Sequence, residues 1–282
     1  MIYVFISIFC SVIVSILLKL AKRYELNMLQ AIPVNYAIAA LACIFLFKPS
    51  LSIPSQSPMG TYTLLSLLLP SLFLILAIAV KKSGIVRTDI AQRLSLLIPL
   101  LAAFLLFGEI ISPQKFSAIA IGLVAVLFSI PWKNEQASTK YAWVYPLLVF
   151  IGMGIIDVFF KQLAAFKTIP FTTSLFWVFL GSLAISLVFL AYQRLIKKEV
   201  LKLKNILFGM VLGFFNFGNI LFYLKAHQAL NTQPSLVFTS MNIGVIALGS
   251  LVGLWVFKEK LSLLNYFGIA LALLAILLIS LA

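Results

Sequence analysis

Charged side chains are scarce in this chain. Asp, Glu, Lys and Arg make up 10% of its 282 residues, whereas about a quarter of a soluble domain is charged. Hydrophobic residues account for 63%, and the mean hydropathy is +1.16. This composition excludes an ordinary soluble protein and predicts an integral membrane protein.

Histidine and cysteine are also rare. One His and two Cys leave little room for a catalytic triad or a His-rich metal site, and no CxxC or Cys/His spacing occurs. There is no P-loop, which argues against ATP hydrolysis by this chain. We therefore expect no enzyme activity, no metal and no cofactor.

The net charge of +14 has a membrane explanation. A basic patch that binds nucleic acid needs a water-exposed face, but most cations here lie in short loops between apolar runs. Cytoplasmic loops of membrane proteins are enriched in Lys and Arg. The expected partners are a lipid bilayer and a small-molecule substrate, with no nucleic acid.

Ten apolar runs approach the length of about 20 residues that crosses a bilayer. Each is predicted to be helical, because hydrocarbon offers no partner for backbone hydrogen bonds. The N-terminal run follows no basic leader and is longer than the apolar core of a signal peptide, so we interpret it as a retained span. Spans 1 to 10 are predicted at residues 2–21, 31–47, 62–80, 85–107, 113–130, 142–164, 172–193, 207–226, 233–256 and 264–281.

A motif repeats 150 positions apart, after spans 4 and 9. Phe107-Gly108-Glu109, Ser112 and Phe116 recur as Phe257-Lys258-Glu259, Ser262 and Tyr266. The polar break at 131–140 separates two units of five spans, 1–131 and 141–282. An odd number of spans makes adjoining copies enter the membrane in opposite senses. The predicted fold is therefore an all-α integral membrane protein with ten transmembrane helices in two inverted five-helix repeats.

Lys and Arg predict the orientation. The loops after odd-numbered spans, with their flanks, hold 15 of them, and the opposite side holds five: Lys48, Lys115, Lys161, Lys167 and Lys225. Because the richer side is expected to be cytoplasmic, both termini are predicted to face outward.

Two acid–base pairs lie inside spans. Asp89 and Arg93 are four residues apart in span 4, as are Asp157 and Lys161 in span 6. This spacing places each pair on one helix face, where the charges can neutralise each other. Ionisable groups are costly in a membrane, so a substrate or proton site is one interpretation. A self-neutralised pair near the interface is the other, and Lys161 could also extend to the interface.

Uncharged polar residues form a second candidate set. Asn216, Asn219 and Tyr223 share one face of span 8, and an inward polar stripe could bind a substrate. Hydrogen bonds between helices are the alternative for every member. The others are Asn35, Tyr36, Gln92, Thr239 and Asn242.

Helix interruptions add a third signal. Pro99 is predicted to interrupt span 4, and Gly244 and Gly249 to loosen span 9. Small-residue packing between helices is an equally good explanation of Gly249. His227 is predicted at the interface, at the end of span 8. Glu109 and Glu259 are expected to be turn or interface residues.

The two five-span halves and the Phe107-Gly108-Glu109 turn resemble the drug/metabolite transporter superfamily, specifically EamA-type proteins. The stretch Ser95-Leu96-Leu97-Ile98-Pro99 is similar to that family's fourth span, whereas Lys258 stands where a Gly is usual. The resemblance covers nearly the whole chain. It implies a ten-helix carrier that moves small metabolites without ATP, with both termini in the cytoplasm.

These observations predict a secondary transporter, in a bacterial inner membrane, for a small polar or amphiphilic metabolite such as an amino acid. It would act by alternating access, as a monomer or homodimer. Two alternatives remain open: a flippase for a lipid-linked substrate, and an accessory membrane subunit that transports nothing alone.

Overall fold

The computed structural model describes residues 1–53, 56–83, 85–110, 112–129, 143–255 and 262–281. Within these ranges the regular elements are eleven α-helices and there is no strand, which confirms the all-α prediction. The helices are α1 (Ile2–Arg23), α2 (Met28–Phe47), α3 (Met59–Ser83), α4 (Ile85–Leu94), α5 (Leu97–Leu105), α6 (Pro113–Ser129), α7 (Val144–Ala165), α8 (Phe171–Lys197), α9 (Leu203–Ala229), α10 (Pro234–Trp255) and α11 (Leu263–Ser280).

Seven of the described helices are long and apolar enough to cross a membrane: α1, α2, α3, α7, α8, α9 and α10. Three shorter apolar helical stretches, Ile90–Leu105, Pro113–Phe128 and Leu263–Ile279, coincide with predicted spans 4, 5 and 10. The protein is thus a multi-pass membrane protein. The count of ten crossings remains a prediction.

Span 4 is interrupted, as predicted from Pro99. α4 ends at Leu94 and α5 begins at Leu97, with a turn at the two residues between them. Pro99 has no N–H to donate to the carbonyl of Ser95 four residues earlier. The Ile98 N–H donates to that carbonyl instead, at 3.1 Å, which tightens the chain into a turn.

The expected loosening of span 9 is wrong. α10 continues from Pro234 to Trp255 through both Gly244 and Gly249. A Cβ on Gly244 would contact Cδ1 of Ile8, so this glycine lets α1 approach α10 closely. Small residues at helix interfaces commonly serve this purpose in membranes.

Most helices form a ring. α1 packs against α9 and α10, α2 against α8 and α9, and α3 against α7 and α8. α7 also contacts α4 and α5, and α5 reaches α10, which closes the ring. α6 and α11 pack against each other and against α10, outside this ring.

The predicted halves pack backbone against backbone where α2 crosses α9. A Cβ on Gly209 would lie 2.6 Å from the Ala31 carbonyl oxygen, and one on Gly213 would lie 2.7 Å from the Asn35 carbonyl oxygen. Both distances are too short for any other residue, so the glycines allow backbone-to-backbone packing. This close packing fixes the position of α2 relative to α9.

One end of the ring, which we call the basic end, carries the loops α1–α2 and α8–α9. Asn27 Nδ2 donates to Glu199 Oε2 at 2.6 Å, and Gln30 Nε2 donates to the Val200 carbonyl at 3.0 Å. Asn205 Nδ2 also donates to Gln30 Oε1 at 2.8 Å. Because α2 and α9 begin here, their C-terminal ends lie at the opposite end of the ring.

That opposite end, which we call the pocket end, carries the loops α5–α6, α7–α8 and α9–α10. A cavity of about 510 Å³ opens there, lined by Phe107, Lys161, Lys167, Phe171, Gln228 and Asn231 among others. A neighbouring cavity of about 340 Å³ shares Ile169 and Pro170 and is also lined by Phe47 and Lys48. Three lysines thus surround the two openings.

Candidate functional site

Asp157 of α7 points into the ring, where it meets α9. The Tyr223 hydroxyl donates to Asp157 Oδ1 at 3.0 Å, and the Phe160 ring stands edge-on to Tyr223 with centroids 6.2 Å apart. Asp157 is half-buried, whereas Tyr223 is buried. The hydrogen-bond partner of this carboxylate in the structure is a neutral hydroxyl. The negative charge of Asp157 is therefore available to a positively charged group of a ligand.

Lys161 does not pair with Asp157, although their spacing allows it. Its Nζ donates to the Asn231 carbonyl at 2.9 Å and lies 5.9 Å from the centre of the Phe107 ring. The long side chain therefore reaches toward the pocket end, yet the residue is 2% exposed. Among the described residues no ion pair joins these two charges, so the interpretation of a self-neutralised pair is wrong.

His227 lies inside the protein and not at the interface. Its exposure is 0%, and its ring stands between Tyr223 and Phe238, each 4.7 Å away between centroids. Neither ring nitrogen has a hydrogen-bond partner among the described residues. Its four-residue spacing from Tyr223, on the polar stripe of α9, was the signal that could have placed it in the site.

The stripe on α9 divides between two roles. The Ser7 hydroxyl donates to Asn219 Oδ1 at 2.9 Å and lies 2.8 Å from the Asn219 carbonyl, which ties α1 to α9. Asn216 is buried, and its Nδ2 has no partner in the described part of the chain. Asn219 therefore fits helix packing, whereas Asn216 and Tyr223 remain candidates for the site.

The candidates on α2 and α10 are mostly buried and unpartnered. Asn35 and Tyr36 are fully buried, and their side-chain polar atoms find no partner among the described residues. The Thr239 hydroxyl is in the same situation. Asn242 Nδ2 donates to the Phe238 carbonyl of its own helix at 3.1 Å, which is a local bond. Unpaired buried polar groups are costly and call for a ligand or an equivalent partner.

The candidates on α4 are only partly described. Gln92 and Arg93 are half-buried, and the Gln92 carbonyl accepts a hydrogen bond from the Ser95 hydroxyl at 2.6 Å. The side chain of Asp89 lies outside the described part of the protein, as do Lys258 and Glu259 entirely. Their predicted roles stay predictions.

Glu109, in the repeated turn after α5, contacts the start of α10. It is 8% exposed, and its Oε2 accepts from the Ser235 N–H at 2.7 Å. Its Oε1 accepts from the Ser235 hydroxyl at 2.5 Å and from Lys115 Nζ at 3.0 Å. A carboxylate is favourable at a helix N-terminus, here that of α10. Gly108 has φ +66°, a conformation that lets the chain turn back toward α10.

The structure brings part of the predicted set together. Asp157, Tyr223 and the unpredicted His227 form one cluster, with Lys161 between it and the pocket-end cavity. Asn35 and Tyr36 lie on α2, which packs mainly against α8 and α9. No hydrogen bond joins these two side chains to the Asp157 cluster among the described residues. Within the described ranges, no group of three His, Cys, Asp or Glu residues could hold a metal ion.

Comparisons with known proteins agree with this architecture. Residues 140–281 match the model of the EamA-like transporter family. An uncharacterized protein of Haemophilus influenzae is 41% identical over 279 residues, which cover 96% of this chain and 94% of the relative. A protein crystal structure shares the fold, with a TM-score of 0.78 and 16% identity over 99% of this chain and 96% of that one. The chain belongs to the EamA-like transporter family, whose members carry small molecules across membranes.

Proposed function

We propose that the protein is a secondary transporter that moves a small polar or amphiphilic metabolite by alternating access, without ATP hydrolysis. The observation that carries this proposal is the Asp157–Tyr223 contact inside the ring of helices. A carboxylate there is costly, and its described partner is neutral, so the charge is available to a ligand. Asn216, His227 and Thr239 add buried polar atoms that a bound solute could satisfy.

The arrangement of charges suggests the substrate class to test first. Asp157 and Lys161 lie one helical turn apart, and each contacts a neutral oxygen group. A ligand with an ammonium and a carboxylate could therefore contact both through charge-assisted hydrogen bonds. Amino acids and related compounds have this pattern.

The proposed topology has ten spans in two inverted halves, 1–131 and 141–282. Its support is the motif repeat and the position of α11. Asn265 Nδ2, at the start of α11, donates to the Phe128 carbonyl at the end of α6 at 2.9 Å. Glu109 lies at the opposite end of α6, so the segments that follow spans 4 and 9 lead to opposite ends of that helix. We place the basic end in the cytoplasm of a bacterial inner membrane, following the charge count.

Transport by purified protein in proteoliposomes tests the proposal. Radiolabelled amino acids and other small metabolites would be added outside the vesicles. Uptake, and exchange with unlabelled solute inside, would be compared with vesicles that contain no protein. Asp157→Asn should lower transport by about 10- to 100-fold, the equivalent of one lost hydrogen bond to a charged group. Tyr192→Phe, at an exposed position on α8, is the control and should leave transport unchanged.

The result that would overturn the role of Asp157 is wild-type transport by a folded Asp157→Asn protein at every pH. If folded wild-type protein, judged by a cooperative melting transition, transported none of the solutes, the transporter proposal would be contradicted. Such a result would favour the accessory-subunit alternative.

A further inference from the structure

We infer that Glu109, Lys161 and Tyr223 form a gate at the pocket end, and that the structure shows this gate closed. The inference rests on the proposed alternating-access function and assigns residues to one of its steps. The gate residues act by positioning helices relative to each other, and the transported solute need not touch all of them.

Three polar contacts at the pocket end join two groups of helices. The first group is α1, α9 and α10, and the second is α3, α4, α5 and α7, each held together by its own packing. Tyr223 of α9 contacts Asp157 of α7 at 3.0 Å. Lys161 of α7 donates to Asn231, between α9 and α10, and Glu109, after α5, accepts from Ser235 of α10.

All three contacts lie toward the C-terminal ends of α5, α7 and α9. They therefore close the same end of the ring. Each of them involves a charged group, and hydrogen bonds to charged groups are stronger than neutral ones. Lys161 is also almost completely buried, so breaking its contact without water entry would leave an uncompensated charge. Glu109 is almost as buried and keeps Lys115 as its ion-pair partner.

The packing of the described helices differs between the two halves. In an inverted repeat, α7 and α9 of the second half correspond to α1 and α3 of the first half. α7 packs against α9, but α1 and α3 do not pack comparably in the described residues. At the basic end, hydrogen bonds join Asn27 and Gln30 to the loop α8–α9. That loop leads into α9, which belongs to the same helix group as α1. Among the described residues, charged contacts between the two helix groups are therefore found at the pocket end.

Glu199 offers a matched control for Glu109. Both glutamates accept hydrogen bonds that join the predicted halves, Glu109 at the pocket end and Glu199 at the basic end. The same substitution to Gln can therefore be made at both ends. Under the gate inference, only the change at the pocket end opens that end.

Accessibility of a single cysteine measures opening directly. The parent protein carries Cys10→Ser, Cys43→Ser and Thr239→Cys. Thr239 is fully buried on α10, one turn beyond Ser235, so the new thiol lies behind the gate. A membrane-impermeant maleimide would be added to oriented proteoliposomes from each side. In separate proteins, Ser50→Cys and Lys202→Cys at exposed positions identify the pocket end and the basic end.

The expected result is slow labelling of Thr239→Cys from the pocket end in the parent. Glu109→Gln, Lys161→Met and Tyr223→Phe should each raise that rate by about tenfold. Each change removes a contact, and one such contact shifts the equilibrium between the closed and the open gate by about a factor of ten. Glu199→Gln should not raise it. Three independent gate variants keep the test decisive if one of them fails to fold.

Two outcomes would overturn the gate. The first is labelling of Thr239→Cys in the parent as fast as Ser50→Cys from the same side. The second is an equal rate in the gate variants and Glu199→Gln. The assay needs no substrate, so it can fail while metabolite transport is observed, and it can succeed in a protein that moves none of the solutes tested.

Discussion

The crossing of α2 and α9 makes a quantitative prediction about stability. In Gly213→Ala, the added Cβ would lie 2.7 Å from the carbonyl oxygen and 3.0 Å from the Cα of Asn35. Both are backbone atoms and cannot rotate away, so the two helices must separate. Overpacking of this kind costs about 1–3 kcal/mol. The same change also moves Asn35, one of the buried candidates for the site.

Gly249→Ala is the matched control. A Cβ at Gly249 of α10 would meet no atom of the described protein within 4 Å. Both substitutions replace a helical Gly by Ala and gain a similar helix propensity, so this contribution cancels in the comparison. The difference between the two free energies of unfolding should therefore equal the overpacking cost, with Gly213→Ala the less stable by about 1–3 kcal/mol.

Unfolding of purified protein in mixed micelles, titrated with SDS and followed by circular dichroism, would provide both free energies. Gly244→Ala should lie between them, because its Cβ would meet the end of the flexible Ile8 side chain. Equal stability of Gly213→Ala and Gly249→Ala would refute the close backbone contact between α2 and α9.

Two further predictions concern other parts of the chain. Ser262→Ala removes the capping box in which the Ser262 hydroxyl accepts from the Asn265 N–H. It should destabilise the protein by about 1 kcal/mol in the same SDS titration. Ser117→Ala, at an exposed serine of α6, should leave the stability unchanged, and equal effects of the two substitutions would contradict the cap. His227 is the single histidine, so ¹⁵N-histidine labelling gives one ring to follow by NMR. Its signal should resist broadening by a water-soluble paramagnetic reagent because the ring is fully buried, whereas the paired change His227→Gln and Gln228→His should expose the label; equal broadening would place His227 at the surface.

Local sequence signals predicted the features that depend on neighbouring residues along the chain. The apolar runs predicted the helices, since backbone hydrogen bonding in hydrocarbon leaves little choice. Pro99 predicted the break before α5 because a missing N–H acts within one turn. Each of these effects is decided over a few residues.

The sequence could not identify contacts between distant helices. Four-residue spacing placed Asp157 and Lys161 on one face of α7, but it did not show that Tyr223 and Asn231 would be their partners. His227 was expected at the interface because it lies near the end of α9. The structure buries it because Phe238 of α10 covers its ring, and that contact depends on how two helices are placed side by side.

The Phe107-Gly108-Glu109 turn connects the fold to the proposed mechanism. Gly108, at φ +66°, reverses the chain after α5. Glu109 can then reach the N-terminus of α10, while Phe107 lies against the Lys161 ammonium group. One short segment therefore carries one residue of the inferred gate, Glu109, and contacts another, Lys161. A movement of α5 would change both contacts together, which is what a gate that opens as a unit requires.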